Sequence, residues 1–287
     1  MLAIGGPGGF AAEIDPMGAQ LQALRGPAGT DLLWDGDPAF WTGRAPILFP
    51  IVGSLNDDRY RWQGRDWSLP RHGFARRMIW QTVAHGADHA TLRLEAGAET
   101  RAVYPFEFVL EMEFAVRDAE LAMTAKVRNA GCGVMPFSLG FHPALRWPFA
   151  PGSAREDYLL QFELPEPGPV CRLDGAGLIA RREPSPLTGD VLVPSDRLFA
   201  DDALVFRGLE SRSVRFGVPG GEWLRCTFPG FPDLGLWSKP GAGYLCIEPW
   251  LGHADPAGFE GSLDEKPGIT VLPPGGEWQG TMTIALE

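Results

Sequence analysis

Positive charge is in short supply in this 287-residue chain: 25 Lys and Arg stand against 36 Asp and Glu, a formal net charge of −11. A nucleic-acid partner needs a basic stripe to displace counterions, so none is expected. A small neutral or phosphorylated ligand stays open, because a pocket can be locally basic on an acidic protein. Cysteine is sparse too. Cys132, Cys171, Cys226 and Cys246 are widely spaced with no C-x-x-C pair, which argues against a zinc knuckle or a disulfide framework and for reduced, mostly buried thiols. No apolar run approaches the roughly 20 residues that cross a membrane, and "MLAIGGPGGFAAEIDP" lacks the basic and apolar regions of a signal peptide. The expectation is a soluble cytoplasmic protein with no membrane partner. H-E-x-x-H, P-loop and G-x-S-x-G patterns are absent, and "GGPGGF" at residues 5–10 reads as a turn.

Helical periodicity is missing as well, apart from one short turn in "DPAFWTG" capped by Asp37 with Pro38 behind it. What the chain has instead is period two. Leu110, Met112, Phe114 and Val116 alternate with more polar neighbours, break at Arg117-Asp118-Ala119, and resume as Leu121, Met123, Ala125 and Val127. That pattern predicts a hairpin with one buried face. "SVRFGVPGGEWLRCTF" repeats it around Pro219-Gly220-Gly221, and "WQGTMTIALE" supplies a last strand with Trp278, Met282, Ile284 and Leu286 inward. The 37 Gly and 27 Pro are scattered along the whole length rather than gathered into a linker. They cut it into many short elements. An all-β fold follows, a large antiparallel sandwich, with residues 1–287 forming one domain.

Against that background a few polar residues are expensive. In "GYLCIEPWLG", Glu248 shares a strand face with Tyr244, Cys246 and Trp250, while Leu245 and Ile247 take the other. Either that face is solvated, or the carboxylate is buried among aromatics and must be paired or used. Of only five histidines, His85 and His89 lie in a turn-like stretch and are expected to be exposed, and His253 is either near a site or in a loop. His142 in "LGFHPAL" and His72 in "LPRHGFARR" sit in apolar, Gly- and Pro-bounded segments. Each is either a core histidine satisfied by a backbone carbonyl or a functional group. One imidazole and one carboxylate are the minimum for concerted acid–base work near neutral pH. Aromatics among hydrogen-bonding side chains suit a sugar, whose apolar ring face and hydroxyl rim need both.

The stretches "APILFPIVGSLNDDRYRWQGRDWSLPRHGFARRMIW", "LGFHPAL", "LFADDALVFRGLES", "LGLWSKPGAGYLCIEPWLGHADPAGFEG" and "EKPGITVLPPGGEW" resemble, in this order, the aldose 1-epimerase (galactose mutarotase-like) family, and within it the LacX-like branch. The resemblance implies a large twisted antiparallel β-sandwich that interconverts the α and β anomers of an aldose without metal or organic cofactor. It implies Glu248 as general base, His142 as general acid, and His72 as a hydrogen-bonding partner of the sugar and its ring oxygen. Asp202 would be the hydroxyl-binding aspartate, with Asp201 as the other register, and Arg59 falls near the family's sugar-binding arginine. "HGFAR" is closer to hexose-6-phosphate mutarotase-like relatives, in which basic residues engage a phosphate; Arg71 and Arg76 flank His72 in matching places. A free aldohexose is favoured over a phosphorylated one. Two rival readings remain. A sugar-binding module without catalysis would keep Trp237, Arg59 and Asp202 as a clamp. A glycoside hydrolase would pair Glu248 with Asp202 or Asp233 as two carboxylates flanking the bond.

Overall fold

The structure, a computed structural model, describes residues 1–287 apart from the side chain of Ala28. Two large antiparallel sheets form its frame, as the period-two pattern demands. The first has nine strands in the order Val191–Leu192, Leu159–Phe162, Ser213–Gly217, Trp223–Thr227, Glu277–Leu286, Glu120–Asn129, Phe108–Arg117, His89–Glu95 and Gln81–His85. Both expected hairpins are there, and the inward residues Leu110 to Val116 and Leu121 to Val127 are 2% exposed or less. Met282 and Ile284 are fully buried, with Trp278 and Leu286 packed at the edge of the same core. The only α-helix among the described residues is Ala98–Arg101, and none is long and apolar enough to cross a membrane.

The second sheet has eight strands and carries the polar residues of interest. Its path runs Ile179–Glu183, Val170–Leu173, Leu204–Phe206, Asp233–Trp237, Tyr244–Leu251, Leu139–Phe141 and Ile47–Leu48, with Ala144–Arg146 also paired to Tyr244–Leu251. Tyr244–Leu251 is therefore a central strand, covered on both faces, and Tyr244 through Trp250 are all buried. A solvated face for Glu248 is ruled out by that position. The alternation sorts the strand: Leu245 and Ile247 join Leu234, Leu236, Leu204 and Phe206 in the core between the sheets. There Phe206 meets Phe162 of the nine-stranded sheet at a ring distance of 5.2 Å. Each such apolar side chain stabilises the sandwich by about 1.5–3 kcal/mol. Tyr244, Cys246 and Trp250 point the opposite way and pack with Trp237, Trp34, Cys171 and Val205 in smaller clusters.

Two glycines make room for Trp250. Gly140 is its cross-strand partner on one side, and Gly235 is opposite Glu248 on the other. A Cβ at Gly140 would lie 2.6 Å from Trp250 Cδ1, and one at Gly235 would lie 2.5 Å from Cζ2. Neither glycine has a positive φ, so the requirement is for space rather than for backbone freedom.

Gly235→Ala should therefore lower stability by about 1–3 kcal/mol through overpacking, measured by urea denaturation. In a Trp250→Ala background the penalty should largely vanish, a coupling of about 1–3 kcal/mol in the double-mutant cycle. Simple additivity would show that the indole moves aside without strain.

Candidate active site

The outward face of the second sheet closes over a cavity of about 290 Å³, at the small end of the roughly 300–1,000 Å³ typical of small-molecule pockets. Trp41, Arg71, His72, Arg76, His142, Asp202, Ala203, Trp237, Glu248 and Trp250 line it. Of the eight side chains expected from the sequence to serve a site, seven are brought together here.

Strand register explains the centre. Gly140 pairs with Trp250 and Ala144 with Cys246 on the same neighbouring strand. Continuing either register sets His142 opposite Glu248. Pro143 cannot donate to the ladder, and the chain breaks there between Leu139–Phe141 and Ala144–Arg146. His142 Nε2 lies 3.1 Å from Glu248 Oε2. The contact is close but out of line for a hydrogen bond: Oε2, His142 Nδ1 and Trp250 Nε1 all lack a partner. At 7% and 1% exposure, His142 and Glu248 are nearly cut off from water.

Electrostatics follow from that dryness. Burial holds the Glu248 carboxyl well above the usual carboxylate range; Arg71 opposes the shift, Asp202 adds to it, and the nearby Trp250 indole opposes it weakly. Burial pushes the His142 imidazole down to about 3, with help from Arg71 and Arg76. Because the two groups touch, their titration belongs to the pair.

His72 adopts φ +67 and Asp202 φ +66, left-handed conformations that cost a non-glycine residue roughly 1–2 kcal/mol. Strain of this kind concentrates at functional sites. The amide of Gly53 donates to His72 Nδ1 at 3.1 Å, so a neutral His72 carries its proton on Nε2. The Arg71 Nε contact with that Nε2, at 3.3 Å, is then not a hydrogen bond, since a neutral imidazole has one acceptor nitrogen. Burial, then Arg71, His142 and Arg76, hold His72 well below its ordinary range. Both terminal nitrogens of Arg71 reach Asp202 Oδ2 at 3.4 Å. Asp201, by contrast, points outward to Arg181, so of the two it is Asp202 that lines the cavity. Arg76 donates to the Arg71 carbonyl at 2.8 Å and is pushed down to about 10 by burial and by Arg77 and Arg71, so it stays charged at neutral pH.

Arg59 is the one of the eight that does not line this cavity. It opens the Arg59–Trp62 strand, whose alternation turns Tyr60 into the core and Arg59 out to solvent. There it borders a separate, larger cavity of about 490 Å³ built around the buried Lys266–Asp255 pair. Size alone would select that cavity, but no histidine lines it, and its Lys266 and Asp255 are already bound to each other at 2.7 Å. His85 and His89 are exposed at strand ends rather than within the turn between them. His253 is buried 3.1 Å from Asp233, outside the cavity. Asp233 also accepts from the Gly208 amide at 2.9 Å and, like His253, does not line the cavity.

Trp41 is the wall the sequence reading passed over. The Asp37-capped turn forms as expected, with the Ala39 amide donating to Asp37 Oδ1 at 2.9 Å. It sets the Trp41 ring 5.0 Å from His142, tilted by 32°, with Trp237 edge-on at 5.4 Å. A search for aromatics beside turn residues was the signal available. Among the described residues, His142, Cys246 and Glu248 are the cluster whose donor atoms, all within 4.8 Å of one another, could hold a metal ion.

Comparison with known proteins agrees with this architecture. The profile described as "Aldose 1-epimerase" matches residues 1–285. The chromosomal Protein LacX of Lactococcus lactis subsp. lactis is 32% identical over 273 residues, 91% of either chain. The X-ray structure of a galactose mutarotase related enzyme from Lactobacillus acidophilus superposes with a TM-score of 0.92 at 30% identity, covering 99% of this chain and 96% of that one. A galactose mutarotase-like protein from Lactobacillus casei gives 0.91 at 28% identity over the full length of both. By the profile match over nearly its whole length and by these relatives, the chain belongs to the aldose 1-epimerase family.

Proposed function

We propose that the protein interconverts the α and β anomers of an aldose, with Glu248 as base and His142 as acid in ring opening. The observation that carries this reading is their 3.1 Å contact on a dry cavity floor, with polar atoms on both left unpartnered. The hydroxyl oxygen and the ring oxygen that exchange protons in mutarotation sit on the same carbon, so two groups this close can address both. Glu248 carboxylate takes the proton from the anomeric hydroxyl while protonated His142 gives one to the ring oxygen. The C1–O5 bond breaks and the open-chain aldehyde forms. Rotation about C1–C2 presents the other carbonyl face; Glu248 returns its proton to the carbonyl oxygen and His142 recovers one from O5.

Opening leaves Glu248 protonated and His142 neutral, the arrangement that closure requires. Burial already favours that uncharged arrangement, and moving one proton over the short contact gives the ionised one. His72, fixed as an Nε2–H donor by Gly53, suits hydrogen bonding to the ring oxygen rather than acid catalysis. Asp202 and Arg71 offer an acceptor and donors to hydroxyls, and Trp41 and Trp237 offer apolar faces. The natural substrate in this reading is a free aldohexose, because Arg71 is already turned to Asp202 and Arg76 to a carbonyl. A hexose phosphate is the second reading, favoured by the unpartnered, buried Nε of Arg76.

One-dimensional NMR exchange spectroscopy with catalytic protein should show faster α–β exchange of glucose or galactose than of glucose 6-phosphate; the opposite ranking would select the phosphate reading. Glu248→Gln and His142→Asn should each lower kcat by about 100-fold or more with little change in sugar affinity. Unchanged turnover in His142→Asn would move the acid role to His72.

The pH profile of kcat/KM should stay flat well below the ordinary histidine range, because the pair gains its second proton only when His142 does. Its alkaline limb, where the pair loses its one proton, should lie above the ordinary carboxylate range. An acid limb near pH 6.5 that vanishes in His142→Asn would contradict the burial argument.

Stability should move opposite to activity. A carboxyl whose folded pKa is raised favours the fold while protonated, and the advantage is lost as pH climbs from its unfolded value through the folded one. Glu248→Gln should thus gain stability relative to wild type as pH rises above about 4.5, by up to about 1.4 kcal/mol per pH unit until the folded pKa is passed. Denaturant midpoints measured from pH 4 to 8 would read this, and a constant gap would refute it.

A further inference from the structure

Cys246 takes no part in the chemistry above, yet it sits two residues before Glu248 on the same strand face. We propose that Cys246, His142 and Glu248 form a site for a single thiophilic divalent cation such as Zn2+, and that its occupation silences the acid–base pair. Only this last consequence rests on the proposed function.

Three unlike donors, a thiol, an imidazole and a carboxylate, have ligand atoms within 4.8 Å of one another, and all three residues are buried. A tetrahedral zinc with bonds of about 2.0–2.3 Å holds its donors about 3.3–3.8 Å apart. The His142–Glu248 contact of 3.1 Å is already that close, so the cluster needs adjustments of about an ångström. Glu248 Oε2, the oxygen that faces His142 Nε2, is buried without a hydrogen-bond partner, so metal binding breaks no existing bond there. On the neighbouring strand that leads back to His142 the residue opposite Cys246 is the small Ala144, and on the other it is Trp237.

His142 and Glu248 line the cavity while Cys246 lies behind them. Three protein ligands with a fourth position open to the cavity make the pattern of an accessible rather than a closed zinc site. The thiolate selects the cation: Mg2+ and Ca2+ want six or more oxygens, and one carboxylate cannot provide them. On binding, the S–H bond breaks, the Zn–S bond forms and the thiol proton leaves to solvent, with no change of oxidation state. The metal then holds the lone pairs that Glu248 and His142 need, so proton transfer to a sugar stops.

The test uses the full chain, freed of metal with a chelator and titrated with Co2+. A saturable thiolate-to-cobalt charge-transfer band in the near ultraviolet, displaced by one equivalent of Zn2+, is the expected result. Cys246→Ser should abolish the band and weaken Zn2+ binding by at least the roughly 10–100-fold that loss of a group merely supporting a ligand costs, while Cys132→Ser, a change at an exposed thiol, should keep both. X-ray absorption of the wild-type zinc complex should show one sulfur ligand at about 2.3 Å, which covers the case of a Cys246→Ser protein that does not fold. A band that survives Cys246→Ser, the lack of saturable binding, or a sulfur-free zinc shell would each overturn the site. In the exchange assay Zn2+ should stop anomer exchange and a chelator should restore it. A protein that binds Co2+ through Cys246 but exchanges no sugar would keep the site and defeat the proposed function instead.

Discussion

A carboxylate and an imidazole face each other across a break in an antiparallel ladder, and most of what is unusual in this protein follows from that juxtaposition. Left alone in a dry interior, an ionised Glu248 would cost several kcal/mol. The sheet offers no hydrogen bond to its Oε2, and the side chain is 1% exposed. What it offers is His142 at the cross-strand position, released from the ladder by Pro143, and the moderating charge of Arg71 beyond it. The surrounding aromatics keep the pair dry: Trp41 over the imidazole, Trp250 beside the carboxylate, Trp237 at the edge. The apolar face of the same strand, with Leu245 and Ile247, supplies burial that offsets the polar one.

Much of the frame was legible because strands announce themselves by alternation. Leu110 to Val127 and the Pro219-Gly220-Gly221 hairpin needed only the rule of two and their turn residues. Tyr244–Leu251 was harder. Its alternation sorted the side chains correctly, but whether Glu248 faced water depended on how many strands flank it, a non-local property that no short window contains. The pairing of Gly140 and Gly235 with Trp250 was hidden for the same reason.

The site residues divide along similar lines. Those in compact motifs, His72, His142, Asp202 and Glu248, gather around one cavity. Arg59 did not, because proximity to a motif in sequence says nothing of which face of a hairpin a side chain takes. Arg71, twelve residues on, meets Asp202 across the mouth instead. Trp41 was overlooked because its turn reads as mere connection, and only the fold brings that turn over His142. Cys246 looked like an ordinary core thiol, and its place behind the pair became visible only once the register was known.

The cavity has two ionic contacts of contrasting character. His142 and Glu248 lie on a nearly buried floor, 9% and 2% exposed in their side chains, whereas the Arg71–Asp202 bridge at the mouth is 42% and 30% exposed. Dissolved ions reach only the second, screening exposed charges over a Debye length of about 8 Å at 0.15 M and about 3 Å at 1 M. Ionic strength is therefore a tool that separates the two. Rising salt loosens the link between the loops that carry His72 and Asp202 and leaves the buried pair as it was.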